Sequence, residues 1–249
     1  MEIGLIGAGN IARVIAEHAS DYHIACVHDS VAELAQDFSA RYKCEIRDPD
    51  SFPKLDLVVE AASQEAVKAH AEKLLERGYN LMIMSVGALV DEGLFHKLKK
   101  AAEKSGVRII LPSGAIAGLD GLRSAAVGKI REVTLTTTKP PKGFDMELAE
   151  AKVLYTGDAA EAVRKFPKNV NVAATLSLAG IGFEKTKVKL VADPGVAENR
   201  HEISVKGEFG EMDVRVSNLP SPSNPRTSYL AAMSAVAAIR KFKDSVVIG

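Results

Sequence analysis

Short apolar runs alternate with stretches of helical period through the first half of the chain. Glu2–Ile6 is an apolar run, followed by a glycine turn and a helical stretch from Asn10 to Ser20. His23–His28 is a second run, and Ser30 with Glu33 three residues on predicts a capping box opening a helix to Arg41. Leu55–Ala61 is a third, rich in β-branched residues, and Ser63 caps a helix that Gly78 closes. Asn80–Met84 and Val107–Leu111 are further strand candidates, separated by a helix that Asp91 opens and Gly106 ends. Near-continuous apolar strands alternating with amphipathic helices predict a parallel sheet covered on both faces, hence an N-terminal Rossmann-type, doubly wound α/β domain.

The pattern changes after about residue 122. Val133–Lys139, Lys187–Ala192, His201–Lys206 and Met212–Val216 are strand-like, and the last two read as a hairpin across Gly207–Gly210. Asp158, with Glu161 in the box position, and Val170–Leu178 mark two helices. Residues 123–223 therefore form a second α+β domain containing a mostly antiparallel sheet. The Pro- and Ser-rich stretch Leu219–Pro225 reads as a crossover, and an amphipathic helix over Thr227–Phe242 is expected to return to the first domain, residues 1–122.

Composition narrows the classes. The 249 residues are 47% apolar, with 32 basic and 32 acidic side chains, so no global field gathers nucleic acid or anionic membrane. No apolar run reaches the length of a spanning helix. The first strand starts at Glu2, which leaves no room for a signal peptide. Two cysteines cannot build a disulfide framework, and the six histidines show no metal-ligand spacing. A reduced, cytoplasmic, soluble protein with no metal, no nucleic acid and no membrane partner is the expectation.

Gly7-Ala8-Gly9-Asn10-Ile11-Ala12 matches the dinucleotide fingerprint in its required context, after a strand and opening a helix. Gly7 permits the tight turn, Gly9 lets backbone approach a pyrophosphate, and the helix N-terminus favours phosphate charge. Asp29, 22 positions after Gly7, is placed to bind ribose hydroxyls and repel a 2′-phosphate, favouring NAD, with NADP as the second option. Ala62 and Ser63 after the third strand, and Ser85, Val86 and Gly87 after the fourth, leave space for the nicotinamide riboside. Ser113–Asp120 (SGAIAGLD) is a backbone-exposing loop where the domains are expected to meet. His201 shares a face with Ile203 and Val205 and so faces whatever its sheet covers.

These blocks resemble the L-aspartate dehydrogenases, a family similar in architecture to dihydrodipicolinate reductase. The resemblance rests on GLIGAGNIA at Gly4–Ala12, VVEAASQEAV at Val58–Val67, MSVGAL at Met84–Leu89, SGAIAGLD, TTTKPP at Thr136–Pro141, NVNVAATLSLAG at Asn169–Gly180, NRHEI at Asn199–Ile203 and NPRTS at Asn224–Ser228. It implies oxidative deamination of L-aspartate with NAD or NADP to iminoaspartate, then oxaloacetate and ammonia, a step that feeds quinolinate and NAD synthesis in some organisms. It also implies that His201 is catalytic and that Ala115 and Asn171 contact the cofactor. Ala117 departs from the family pattern, where a glycine is expected.

For the substrate carboxylates, the chain offers Lys139 and Thr138, with the backbone of Gly114; Arg226 is the weaker candidate. Two alternatives stand beside this reading: a dihydrodipicolinate-type imine reductase and a non-enzymatic NAD sensor. The first lacks its H-H-x-x-K signature, since Arg200 precedes His201 and Ser204 stands where a lysine is needed. The alanine-rich final helix suits a core or a subunit interface, and a homodimer is expected.

Overall fold

The computed structural model describes residues 1–167, 171–221 and 224–246, with only the backbone of 224–226. The chain forms two compact units, one of Met1–Pro112 with Ala232–Ile248, the other of Ser113–Ala231.

The first unit holds strands β1 (Glu2–Ile6), β2 (His23–His28), β3 (Glu45–Ile46), β4 (Leu57–Glu60), β5 (Leu81–Ile83) and β6 (Ile109–Ile110). Helices α1 (Asn10–Glu17), α2 (Ala32–Tyr42), α3 (Gln64–Glu76) and α4 (Glu92–Ser105) connect them. The strands pair in parallel in the order β3-β2-β1-β4-β5-β6. Strand order reverses between β1 and β4, the switch point outside which open α/β sheets bind their ligands. The central strands are buried on both faces: Ile3, Leu5, Leu57, Val58, Val59, Leu81, Met82 and Ile83 have no exposed surface, as a sheet covered by helices on either side requires.

Caps hold where side chains reach free backbone donors. Ser63 accepts from the Ala66 N–H and Asp91 from the Leu94 N–H, while left-handed Gly106 ends α4. The expected cap at Ser30 is displaced. Val31, whose side chain has no acceptor, occupies the cap position of α2, and its N–H donates to the Asp29 carboxylate. The two-residue strand β3 escaped the pattern because both its residues are exposed at a sheet edge.

The second unit contains α5 (Leu119–Ala125), β7 (Ile130–Lys139), β8 (Lys152–Asp158), α6 (Ala159–Lys165), α7 (Asn171–Ala179), β9 (Lys187–Ala192), β10 (Asn199–Gly207), β11 (Gly210–Asn218), and the short pair β12 (Pro220–Ser221) and β13 (Asn224–Ser228). Its main sheet runs β11-β10-β7-β9-β8, antiparallel except for the β7–β9 pair. Along β10 every second residue from Asn199 to Gly207 is buried, which turns His201, Ile203 and Val205 to the covered face. The break between units falls at Pro112 rather than near residue 122. The reason is α5: a Cβ on Gly180, just past α7, would come within 3.2 Å of Leu122, so α5 packs in the second unit.

The final helix, α8 (Tyr229–Lys243), crosses back, with Ala232 onward belonging to the first unit. Lys243 Nζ donates to the Asp21 carbonyl at 2.8 Å and Arg240 Nη2 to that of His18 at 3.3 Å. Ala232, Ala235 and Ile239 are fully buried, so the alanine stripe serves as core. Among the described residues no helix is long and apolar enough to cross a membrane.

Candidate active site

Two clusters of the expected residues form, one in each unit. In the first unit, the turn after β1 requires Gly7. Its φ is +103°, and a Cβ there would lie 2.6 Å from the Ala61 carbonyl oxygen. The Gly7 N–H donates to the His28 carbonyl at 2.7 Å, so the turn is bound to its neighbours on both sides. A Cβ at Gly9 would meet nothing within 4 Å, which leaves open space where α1 begins. No side chain caps that helix. Open backbone at an uncapped helix N-terminus is the cradle a pyrophosphate needs.

Asp29 follows β2 beside this turn. One carboxylate oxygen accepts the Ala8 N–H at 2.8 Å and the other the Val31 N–H at 2.9 Å. The side chain is thereby fixed, each oxygen keeping capacity for a ribose hydroxyl. Ala62, Ser63, Ser85, Val86 and Gly87 follow β4 and β5 at their carboxyl ends, on the far side of the switch point. The residues of this cluster fit a nicotinamide dinucleotide.

A residue passed over in the sequence joins those last two loops. Glu60, the final residue of β4, is 2% exposed. Its Oε1 accepts the Ala62 N–H and the Ser85 hydroxyl, both at 2.8 Å, and its Oε2 accepts the Ser85 N–H at 3.0 Å. The Ser63 N–H is a further donor. The only signal was one acidic residue closing an otherwise apolar strand.

In the second unit, His201 is 2% exposed, and its Nδ1 lies 2.9 Å from Thr137 Oγ1. The register pairs His201 with Thr137 across β10 and β7. Two residues on, Lys139 turns to the same face. Thr138 pairs with Arg200 and turns to the other. Thr137, not Thr138, therefore meets the imidazole. Burial, with the Lys139 charge adding, pulls the His201 pKa down to about 3. Burial pulls Lys139 down to about 8, with its Nζ 5.7 Å from the centre of the Phe144 ring. Gly114 is left-handed at φ +66°. The Ala115 carbonyl accepts from Asn218 Nδ2 at 3.0 Å, a buried tie that sequence spacing did not show. Asn171 starts α7. Ala117 is exposed, so its extra methyl meets no packed neighbour. The Arg226 side chain lies outside the described residues.

Two family models match the chain: the NAD-binding domain of homoserine dehydrogenase over residues 3–112, and the C-terminal domain of aspartate dehydrogenase over residues 120–242. An L-aspartate dehydrogenase of Methanosarcina barkeri is 44% identical over 269 residues, covering 100% of this chain and 99% of the relative. The chain belongs to the L-aspartate dehydrogenase family.

A second L-aspartate dehydrogenase, from Methanothermobacter thermautotrophicus, is 40% identical and matches 100% of this chain and 98% of its own. The crystal structure of aspartate dehydrogenase from Thermotoga maritima superposes with a TM-score of 0.85 at 30% identity, covering 100% of this chain and 99% of the other. For this member of the aspartate dehydrogenase family, the NAD-binding match lies within the first unit and holds the glycine turn, and the aspartate dehydrogenase match holds His201 and runs through the second unit into the returning helix α8.

Proposed function

We propose that the chain catalyses the NAD(P)-dependent oxidative deamination of L-aspartate, giving iminoaspartate and then oxaloacetate and ammonia. The observation that carries this reading is the buried face on which a neutral imidazole, His201, is held by Thr137 beside the Lys139 ammonium. Family membership supplies the substrate.

Gly7, Ala8, Gly9, Asn10 and Ile11 would hold the phosphates of the dinucleotide, Asp29 its adenosine ribose and residues 62–63 and 85–87 its nicotinamide half; Ala115 and Asn171 are the further cofactor contacts that the family resemblance implies. When bound, it accepts the hydride that leaves Cα of aspartate, the hard step of the reaction. The protein manages protons and charge. Oxidation needs a neutral substrate amine. In the tautomer whose Nδ1–H donates to Thr137 Oγ1, the imidazole offers the Nε2 lone pair to the ammonium proton. The two substrate carboxylates approach as this happens, and their negative charge raises the basicity of a ring that burial has otherwise suppressed. Once that proton has passed to solvent, the same nitrogen is free to take a proton from the water that attacks the imine carbon. The Lys139 ammonium and the Gly114 N–H bind the carboxylates. The Asp29 carboxylate favours NAD over NADP, because a 2′-phosphate beside it adds like charge. The enzyme works as a homodimer in the cytoplasm, where its buried thiols, Cys26 and Cys44, stay free.

The test is a spectrophotometric screen of the proteinogenic amino acids with NAD and with NADP. Reduction of NAD by L-aspartate alone is expected, and turnover with another amino acid but not aspartate overturns the reading. In His201→Ala, kcat should fall by roughly 10²-fold or more while NADH binding holds.

A further inference from the structure

Glu60 is the one carboxylate among the described residues that is buried this deeply, and the chemistry above does not use it. A buried charge is costly unless several donors repay it. Here the donors are the Ala62 N–H, the Ser63 N–H, the Ser85 N–H and the Ser85 hydroxyl. All of them belong to the two loops that leave β4 and β5. Neither loop is tied to the other by a backbone ladder at that point, since the β4–β5 pairing ends at Glu60 and Ile83. The carboxylate continues the pairing beyond the last rung, with one side chain doing what a pair of strands does below it. Burial raises its carboxyl pKa above the ordinary value, and the four hydrogen bonds offset part of that rise.

The same loops carry the other structural constraint of the first unit. The Ala61 carbonyl sits where a Cβ on Gly7 would be, so the loop after β4 touches the phosphate turn. Loop 61–63 is thus fixed at one end by the glycine turn and at the other by Glu60, and loop 85–87 is held by Glu60 and by its own short helical turn, Val86–Val90, which packs on α3 and α4.

We infer that Glu60 is a positioning residue for the nicotinamide half of the cofactor, acting by locking the loops after β4 and β5 to one another. It rests on the cofactor reading given above. It touches no substrate atom and transfers no proton. Its effect is confined to the half of the dinucleotide that lies beyond the switch point; the adenosine half, held by the turn after β1 and by Asp29, does not depend on it.

The experiment compares NAD and NADH with ADP-ribose, which lacks the nicotinamide, on the full chain. In Glu60→Gln the side-chain NH2 must face a backbone N–H on one side or the other, so a donor meets a donor. Dissociation constants for NAD and NADH should rise roughly tenfold, while that for ADP-ribose stays within about twofold, the scale of one buried polar mismatch. The KM for NAD should rise alike, with the KM for aspartate at saturating NAD unchanged. Equal weakening of all three ligands, or no weakening in a folded variant, overturns the inference. If Glu60→Gln does not fold, Ser85→Ala removes one donor and spares the backbone; it should show the same asymmetry at about threefold, and a symmetric or null result there overturns it equally. Wild-type protein that binds ADP-ribose but neither dinucleotide more tightly would instead defeat the cofactor reading, and this inference with it.

Discussion

His201 enters the folded protein as a neutral ring. Its pKa falls from the ordinary 6.5 to about 3, so between those values the unfolded chain binds a proton that the native one refuses. Stability is then full above about pH 6.5 and is lost as pH falls toward 3, about 1–2 kcal/mol of it by pH 5. His201→Gln should flatten that acid limb, which urea midpoints at pH 7 and pH 5 will read. Lys139 carries the opposite consequence for binding. Its ammonium is lost above about pH 8 instead of 10.5. Succinate, a dicarboxylate with no amine of its own, should inhibit with a constant that is flat below about pH 8 and weakens above it; Lys139→Met should inhibit weakly at every pH. A succinate constant that keeps improving above pH 8 would remove Lys139 from the carboxylate site. At Asp29, replacement by Ser removes the like charge, and the ratio of kcat/KM for NAD over NADP should fall by about tenfold or more.

At the scale of elements, the turn after β1 is the most constrained segment of the first unit. Gly7→Ala must hold an alanine at φ +103° and move the Ala61 carbonyl, a cost of at least about 1–3 kcal/mol. The variant should show a lowered Tm and weakened binding of both NAD and ADP-ribose, in contrast to the selective loss expected at Glu60. This turn was legible in the sequence because a Rossmann corner leaves residues that only backbone geometry explains. The buried strands of the first sheet were legible too, unlike the exposed edge strand β3, since burial on both faces writes continuous apolar runs such as Leu57–Val59. β8 was not, because Tyr155 is its single buried residue and no alternation results. α5 was hidden by the glycines that flank and enter it, Gly118 and Gly121. In the site, His201 could be placed on its face by counting along β10, whereas Thr137 could be preferred to Thr138 only once the register of β7 against β10 was known. Glu60 and Asn218 stayed unread because nearly all their partners are backbone groups, which leave no mark in composition.

For the whole molecule, the first unit is made from both ends of the chain. Ala232, Ala235, Val236 and Ile239 bury their side chains there, and Arg240 and Lys243 reach His18 and Asp21. The polar ties are exposed and contribute little; the buried apolar surface carries the docking. A chain ending at Ala231 should therefore lose the first unit's protection from proteolysis while the second unit keeps its own. Supplying residues 232–249 as a separate peptide should restore the missing protection, and a truncated chain as protease-resistant as the full one would show that the helix is dispensable.

That arrangement has a consequence for how the protein is made. Ribosomes deliver Ser113–Ala231 in full before any part of 232–248 emerges, so the inserted unit possesses all its strands while the earlier one still lacks its closing helix. The segment synthesised first is the segment completed last, and nascent chains arrested short of Ala232 should leave the glycine turn unable to hold nucleotide until translation ends.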